Sequence, residues 1–206
     1  MRLLAIDCAT EACSVALFEH GALLAGDYRT LGRGHAEALV PMIAALPGKG
    51  QAERIAVSLG PGSFTGLRVG LAAARALAFA WQAELVGYPT LALVAAMARR
   101  QHGEQALTVA MNGGHGEWFV QGFDPDGTSS GDLRSIAPAR AAAEVRQDLI
   151  VGSRAGELVT RRGFGKAVEL WPDARQANLL PETALLADPA LIYGRAPDAR
   201  LPGAAP

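Results

Sequence analysis

Residues 57–79 constrain the fold of this 206-residue chain more than any other part of its sequence. The apolar run 55–59 ends at Gly-Pro-Gly, which is typical of a buried strand that enters a tight turn. Ser63 follows at the position of a helix N-cap, where its hydroxyl can accept from an amide of the first turn. The segment therefore predicts a strand, a turn and a long helix in direct succession.

A helix that begins after a glycine-rich turn can also bind an anion, because its free amides and the positive end of its dipole face the turn. The chain has neither of the two phosphate-binding patterns, Gly-x-x-x-x-Gly-Lys-Ser/Thr and Gly-x-Gly-x-x-Gly. An ordinary turn with a capped helix is the simpler interpretation, and a phosphate site stays open as the alternative.

The long helix is almost without charge. Its only charged residues are Arg68 and Arg75, seven positions apart and therefore on one face. Gly66, Gly70 and Ala74 form a stripe of small residues at a spacing of four. A glycine inside a helix costs about 1 kcal/mol relative to alanine, so we expect another backbone to lie close to this stripe. The stripe therefore predicts either a surface on which a partner helix docks or burial in the chain's own core.

A second helix, predicted over residues 35–46, is apolar on more than one side. One stripe, at the spacing of a core face, consists of Leu39, Met42, Ile43 and Leu46. Another lies beside it and consists of Ala36, Val40 and Ala44. Pro41 removes a backbone amide, which predicts a kink or an early helix end. Two such helices indicate a shared interface.

Charge and hydropathy exclude several classes of protein. The net charge of −1 and the lack of a basic block argue against strong nucleic-acid binding by this chain alone. No apolar stretch reaches the roughly 20 residues of a membrane span. Asp7 comes too early for a signal peptide, so we expect a cytoplasmic protein.

Cysteine and histidine usage predicts no metal site. Cys8 and Cys13 are the only cysteines and lie at strand ends, where reduced, buried thiols are the simplest interpretation. The four histidines are scattered, and neither His-x-x-x-His nor Cys-x-x-Cys occurs.

The order of elements predicts the architecture. Three strand-like runs at residues 3–7, 13–18 and 22–28 precede an alternation of helices and strands. This order is typical of a ribonuclease H-like mixed sheet. It places Asp7 and the turn at residues 8–11 beside a possible ligand cleft.

Three segments resemble the signature segments of the TsaB family, also called YeaZ. They are AIDCATEACSVAL at residues 5–17, HAEALVPMI at 35–43 and GPGSFTGLRVGL at 60–71. The tail at residues 189–200 is similar to that family's ending. The match is tight over about the first 100 residues and loose over 126–188.

The resemblance implies an α/β actin-like ATPase (ASKHA) fold. It predicts two ribonuclease H-like lobes with mixed sheets, the second small and truncated. Residues 1–103 would form the first lobe with the docking helices, and residues 104–206 the second lobe with a frayed tail.

The implied function is that of a non-catalytic scaffold or activator for threonylcarbamoyl transfer to adenosine 37 (t6A37) of tRNAs that read ANN codons. Such a subunit forms a heterodimer with its catalytic paralogue TsaD, which TsaE joins. Alone it would form a homodimer through the same helices. We expect tRNA contact only through the complex, no membrane contact, no cofactor on this chain, and ATP and metal on partner subunits.

The docking model assigns partner contacts to the first two helices. The predicted interface residues are Leu39, Val40, Met42, Ile43, Leu67, Arg68, Gly70, Leu71, Ala74, Arg75 and Leu77. A vestigial nucleotide cleft is predicted at Asp7, Thr10, Gly60, Gly62 and Ser63. No catalytic residue is predicted, because Cys8 and Ala9 stand where active members of this fold need glycine, and His35 lacks the second histidine of TsaD's metal pair.

Two enzymatic alternatives stay open. One is a small kinase or ATPase of the same fold that uses Asp7, Thr10 and the helix end at Ser63. The other is a peptidase, for which no nucleophile and base pair is apparent. Residues 112–117 read Asn-Gly-Gly-His-Gly-Glu where the family usually has Asp-Ala-Arg-x-Gly-Glu. We interpret this loop as a freer turn, with a changed role as the alternative.

Overall fold

The computed structural model describes residues 1–194 and contains two five-stranded sheets. The strands of the first are β1 (Arg2–Asp7), β2 (Ala12–Glu19), β3 (Ala22–Thr30), β4 (Arg54–Ser58) and β5 (Glu84–Tyr88). Their order across the sheet is β3-β2-β1-β4-β5, with an antiparallel meander of β1 to β3 and with β4 and β5 parallel to β1. The predicted ribonuclease H-like order is confirmed.

The helices of this first half are α1 (His35–Ala44), α2 (Phe64–Trp81) and α3 (Thr90–His102). α1 continues through Pro41 and ends before residue 46, earlier than the apolar pattern predicts. Ser63 caps α2, because its Oγ accepts from the amide of Gly66 at 3.3 Å. The predicted N-cap is therefore confirmed.

The second sheet repeats the first. Its strands are β6 (Leu107–Gly114), β7 (Glu117–Phe123), β8 (Arg134–Ile136), β9 (Leu149–Val151) and β10 (Lys166–Val168), in the order β10-β9-β6-β7-β8. Its helices are α4 (Pro138–Glu144) and α5 (Ala155–Arg162), which occupy the chain positions of α1 and α2. Three of its strands have only three residues each, so this half is the smaller one.

The segment after β10 returns to the first sheet. Ala174 and Ala177 pack against Ala5, Ala16 and Phe18, and the backbones of Gly87 and Leu186 exchange two hydrogen bonds of 2.9 and 2.8 Å. Both halves of the chain therefore contribute to the surroundings of the first sheet, and the division at residue 103 stays a prediction. The frayed end predicted at 201–206 and the family-like residues 195–200 lie outside the described residues.

No helix within residues 1–194 combines the length and the apolar character that crossing a membrane requires.

Candidate functional site

A cleft of about 860 Å³ lies between the two sheets. The turn after β1, the start of α2 and the hairpin of β6 and β7 form its walls, together with residues 192–194. Its polar lining includes Thr10, Ser63, Arg68, Asn112 and Ser153. The structure thus confirms a cleft at the end of β1, where the strand order predicts it.

The turn after β1 is packed directly on the start of α2. The Ser63 amide donates to the Ala9 carbonyl at 2.7 Å. A Cβ at Gly62 would lie 2.1 Å from that same oxygen, so only glycine fits there. Because the Ser63 amide is already paired, these contacts favour the capped turn over the phosphate site.

Asp7 is buried behind this turn and does not line the cleft. Its Oδ1 accepts from the Ala9 amide at 2.9 Å, and the Tyr88 hydroxyl lies 3.2 Å from Oδ2 and 3.0 Å from the Ile6 carbonyl. Burial raises the pKa of Asp7 from 3.8 to about 6, against the opposing effect of these hydrogen bonds. Its placement beside the cleft is therefore corrected, and Asp7 cannot reach a ligand as the kinase alternative requires.

The raised pKa of Asp7 predicts a specific pH dependence of stability. The folded state holds this proton more tightly than the unfolded chain, so the stabilisation is complete below pH 3.8 and is lost as pH rises through about 6. The shift corresponds to about 3 kcal/mol. The side chain of Asp7→Asn is neutral at every pH, and its amide can donate to the Tyr88 hydroxyl. We expect the variant to be more stable than wild type near pH 7 and similar in stability near pH 4.

Urea unfolding between pH 4 and 7.5 measures this difference. Asp124→Asn, at an exposed aspartate, is the control for a general charge effect. A difference between Asp7→Asn and wild type that does not change with pH would contradict the assignment. Tyr88, Ser58 and Asp173 also act on the pKa of Asp7, and all three stay in place in the variant.

Thr10, Gly62 and Ser63 line the cleft, and their assignment to a vestigial nucleotide site stays a prediction. Gly60 does not, because the backbone of Ile192 covers it: a Cβ on Gly60 would lie 2.7 Å from the Ile192 carbonyl oxygen. The positive φ of 104° independently requires glycine at this position. The predicted cleft set is therefore corrected at Asp7 and Gly60.

His35 makes structural hydrogen bonds and is not placed as a metal ligand. Its Nε2 lies 2.9 Å from the Thr10 carbonyl and 3.3 Å from that of Ala12. Since both partners are acceptors, Nε2 carries the hydrogen and ties the start of α1 to the turn after β1. Within residues 1–194, no three His, Cys, Asp or Glu side chains come together as a metal site.

Residues 189–194 cross the open side of the cleft, a feature that sequence reasoning missed. The Ile192 amide donates to the Leu59 carbonyl at 2.8 Å, and Arg75 donates to the Pro189 carbonyl at 3.0 Å. The Tyr193 ring lies 5.8 Å from that of Phe64. The sequence signals here were a short apolar run, Leu-Ile-Tyr, and a similarity to the family's ending, and neither reveals which residues this segment contacts.

The hairpin that joins β6 and β7 supports the turn interpretation of residues 112–117. His115 and Gly116 have φ angles of 53° and 80°, as in the two-residue turns that join antiparallel strands. Asn112 Oδ1 accepts from the Gly114 amide at 3.3 Å. Of the two extra glycines, Gly114 has a φ of 71°, and a Cβ on Gly113 would lie 2.8 Å from the Glu117 carbonyl oxygen, so both suit a tight hairpin at the edge of the cleft.

Burial divides the predicted interface residues into two groups. Seven are buried in this chain's own core: Leu39, Met42, Ile43, Leu67, Gly70, Leu71 and Ala74. Val40, Arg68 and Arg75 are exposed, and Leu77 is half-buried. The buried residues have no free surface to offer a partner, which corrects their assignment to direct contacts. The docking prediction is thereby narrowed to the outer sides of the two helices.

The stripe of Gly66, Gly70 and Ala74 packs against the chain's own sheet. A Cβ on Gly66 would lie 2.1 Å from the Cys8 carbonyl oxygen, and one on Gly70 would lie 3.5 Å from Cys8 Cβ. Of the two interpretations left open by the sequence, burial in the core is confirmed for this stripe.

α1 and α2 lie side by side and expose a surface that is almost free of charge. We call it the α1–α2 face; it consists of Ala36, Val40, Pro41, Ala44, Arg68, Ala72, Arg75, Ala76, Phe79 and Ala80, all exposed. Val40 is 58% and Phe79 is 89% accessible. A contiguous apolar patch of this kind, more than any single exposed side chain, is typical of an interaction surface.

The helices at the same positions of the second half provide an internal comparison. Their surfaces carry ion pairs between Arg134 and Glu144, Arg140 and Glu144, Arg154 and Glu157, and Arg161 and Glu157. One half of the repeat therefore has ordinary charged helix surfaces, whereas the other has the α1–α2 face.

Comparison with known proteins assigns the family. The family model described as "TsaD: tRNA N6-adenosine threonylcarbamoyltransferase" matches residues 29–151. The tRNA threonylcarbamoyladenosine biosynthesis protein TsaB of Escherichia coli is 34% identical over 181 residues, which are 84% of this chain and 74% of that protein. The chain belongs to the TsaB (YeaZ) family. A tRNA N6-adenosine threonylcarbamoyltransferase of Syntrophobacter fumaroxidans is 32% identical over 143 residues, 65% of this chain and 42% of that protein.

Solved structures agree with membership of the TsaB family. A crystal structure from Pseudomonas aeruginosa, described as an uncharacterized protein with similarity to peptidase YEAZ, superposes with a TM-score of 0.79 at 30% identity. The superposition covers 94% of this chain and 99% of that one. The expected fold class is confirmed: this TsaB-family chain has an actin-like fold built from two mixed sheets.

Proposed function

We propose that this chain is a non-catalytic scaffold or activator subunit for threonylcarbamoyl transfer to adenosine 37 of tRNA, and that it acts in the cytoplasm by forming a heterodimer with TsaD. Its relatives, a tRNA threonylcarbamoyladenosine biosynthesis protein and a tRNA N6-adenosine threonylcarbamoyltransferase, indicate the pathway. The α1–α2 face is the single observation that carries the docking role.

The argument from the α1–α2 face is energetic. Apart from His35, the charged residues of α1 and α2 are Glu37, Arg68 and Arg75 alone. Alanines at three exposed positions of α2 allow a partner helix to approach closely, and Phe79 supplies a large apolar contact. Removing such area from water stabilises an interface by roughly 25 cal/mol per Å² before the costs of association. Arg68 and Arg75 suit the polar rim of that interface.

The arrangement of the cleft supports a non-catalytic role. The Ser63 amide at the start of α2 is paired with Ala9, the carboxyl of Asp7 is buried, and residues 189–194 cover Gly60. The kinase alternative needs Asp7, Thr10 and the helix end at Ser63 at a ligand; Thr10 lines the cleft, but Asp7 is buried and the Ser63 amide is already paired. We therefore assign ATP and metal to the partner subunits and no cofactor to this chain.

In this proposal TsaE joins the pair, and tRNA is contacted only through the complex. Without TsaD, the α1–α2 face pairs with a second copy of itself, which a two-fold axis allows because the same patch then serves both subunits.

Size-exclusion chromatography with light scattering tests the proposal. We expect this chain to elute as a homodimer alone and as a heterodimer after mixing with the TsaD of the same organism. The heterodimer should form at the expense of the homodimer, because both use one face. Two independent peaks over a range of concentrations, with and without ATP, would contradict the scaffold role and favour an independent enzyme of the same fold.

A further inference from the structure

The only two cysteines of the chain lie together beneath α1 and α2. Cys8 follows β1 and Cys13 lies in β2, and their Sγ atoms are 3.6 Å apart. Both side chains are fully buried in the core cluster that also contains Leu39 and Met42 of α1. The Asp7–Ser14 pair of the β1–β2 ladder places Cys8 directly opposite Cys13. The thiols have no role in the proposed function.

We propose that Cys8 and Cys13 are a redox-active dithiol, which a peroxide converts into an intramolecular disulfide. Opposite residues of an antiparallel pair have Cα atoms roughly 4.5–5.5 Å apart, and this interval lies within the range that a disulfide accepts. Both sulfurs are already in contact, so rotation of the two side chains brings them together. No movement of one strand past the other is needed.

The reaction begins at Cys13. A hydrogen bond from Cys8 lowers the pKa of the Cys13 thiol, and the same bond together with burial raises the pKa of Cys8. The Cys13 thiolate attacks one oxygen of the peroxide; the S–O bond forms, the O–O bond breaks, and the leaving hydroxide takes a proton to become water. Cys8 Sγ then attacks Cys13 Sγ, the S–S bond forms, and the hydroxyl leaves as water with the Cys8 proton. Two thiols are oxidised by two electrons, and one peroxide is reduced.

The turn between the cysteines gives the oxidant its route. Ala9, Thr10 and Glu11 line the cleft, so an opening of this turn exposes the thiols to the solvent in the cleft. A local opening costs less than global unfolding, which makes oxidation slow but possible in the folded protein.

Formation of the disulfide changes the packing under α2. A Cβ on Gly70 would lie 3.6 Å from Cys8 Sγ, so this sulfur fills the space below the middle of the helix. Closing the sulfur separation to about 2.05 Å draws Cys8 Sγ toward Cys13 and leaves a gap there. The outer side of α2 belongs to the α1–α2 face. Disulfide formation does not depend on the proposed function, whereas an effect of the disulfide on assembly with TsaD rests on it.

Mass spectrometry of the full chain after treatment with hydrogen peroxide tests the proposal. We expect the wild type to lose the mass of two hydrogen atoms, to become resistant to maleimide even after denaturation, and to recover both thiols with a reductant. Cys8→Ala is the matched control: its Cys13 gains oxygen atoms and the chain forms no internal disulfide. Cys13→Ala removes the thiol that reacts first. Peroxide-treated wild type that keeps two alkylatable thiols, or gains only oxygen, would overturn the proposal.

Hydrogen exchange and TsaD binding test the coupling to α2. We expect exchange of the α2 amides in the oxidised chain to be faster by about tenfold or more, with α3 as the internal reference. Equal exchange in the two forms would refute the coupling. If the reduced chain binds TsaD and the oxidised chain binds it less tightly, both proposals are supported. If the reduced chain does not bind TsaD at all, the proposed function fails while the mass result still decides the dithiol.

Discussion

Gly66→Ala is expected to destabilise the folded chain by about 3 kcal/mol or more, whereas Gly70→Ala is expected to be neutral or slightly stabilising. Both glycines lie on the inner side of α2. The new Cβ of Gly66→Ala would lie 2.1 Å from the backbone oxygen of Cys8, which cannot move without displacing the turn after β1. The new Cβ of Gly70→Ala would be 3.5 Å or more from its neighbours, an ordinary van der Waals contact.

Chemical denaturation of both variants under identical conditions measures this difference. Gly70→Ala is the matched control, since it makes the same chemical change one turn further along the same helix. Alanine also has the higher helix propensity, so any loss in Gly66→Ala comes from the contact with Cys8 and not from the helix. Equal stabilities of the two variants would show that α2 lies further from the turn than the structure places it.

This pair of glycines shows where sequence reasoning stops. A stripe of small residues indicates that a backbone lies close, and this was predicted correctly. It does not tell which backbone, because a neighbouring sheet and a partner helix both favour Gly and Ala. The stripe faces the sheet, and the α1–α2 face lies on the opposite side, with Val40 and Phe79.

How well the rest of the fold can be predicted depends on the strength of its local sequence signals. Long strands with alternating or continuous apolar residues, and helices with a cap such as Ser63, were predicted close to their observed bounds. β8 (Arg-Ser-Ile) and β10 (Lys-Ala-Val) were missed because each is short and includes a charged residue, so the sequence gives no apolar run; the equally short β9 is Leu-Ile-Val, which does predict a strand. The path of residues 189–194 was missed for a related reason, since its contacts with Leu59 and Arg75 span more than a hundred residues of chain.

The cleft shows a second limit. The family pattern marks Asp7 as a residue near a ligand, and the sequence alone cannot tell an exposed carboxylate from a buried one. Its partner Tyr88 ends β5, far along the chain, and the hydrogen bond between the two has no local sequence signal. Only the structure shows that this acid faces the core.

Ala76→Arg is expected to weaken binding to TsaD by about a hundredfold or more and to leave the stability of the folded chain unchanged within about 0.5 kcal/mol. Ala76 lies on the outer side of α2 between Ala72 and Phe79, near the middle of the α1–α2 face. Arginine is a good helix former, so the helix itself tolerates the change. A docked partner does not tolerate it, because the arginine side chain occupies the space of the partner's closely packed residues. Burial in the interface also removes water from the guanidinium charge, which costs free energy.

Ala143→Arg is the control, since Ala143 is also an exposed alanine of a helix but lies on α4, next to the ion-paired Glu144. Ala143→Arg makes the same chemical change on a helix in the second half of the chain, and we expect this variant to bind TsaD like wild type. Titration of both variants with TsaD, together with light scattering of each alone, separates the two faces. Because the homodimer uses the same patch, Ala76→Arg should also be monomeric. Unchanged TsaD binding by Ala76→Arg would place the interface elsewhere, and loss of binding by Ala143→Arg alone would move it to the second half of the repeat.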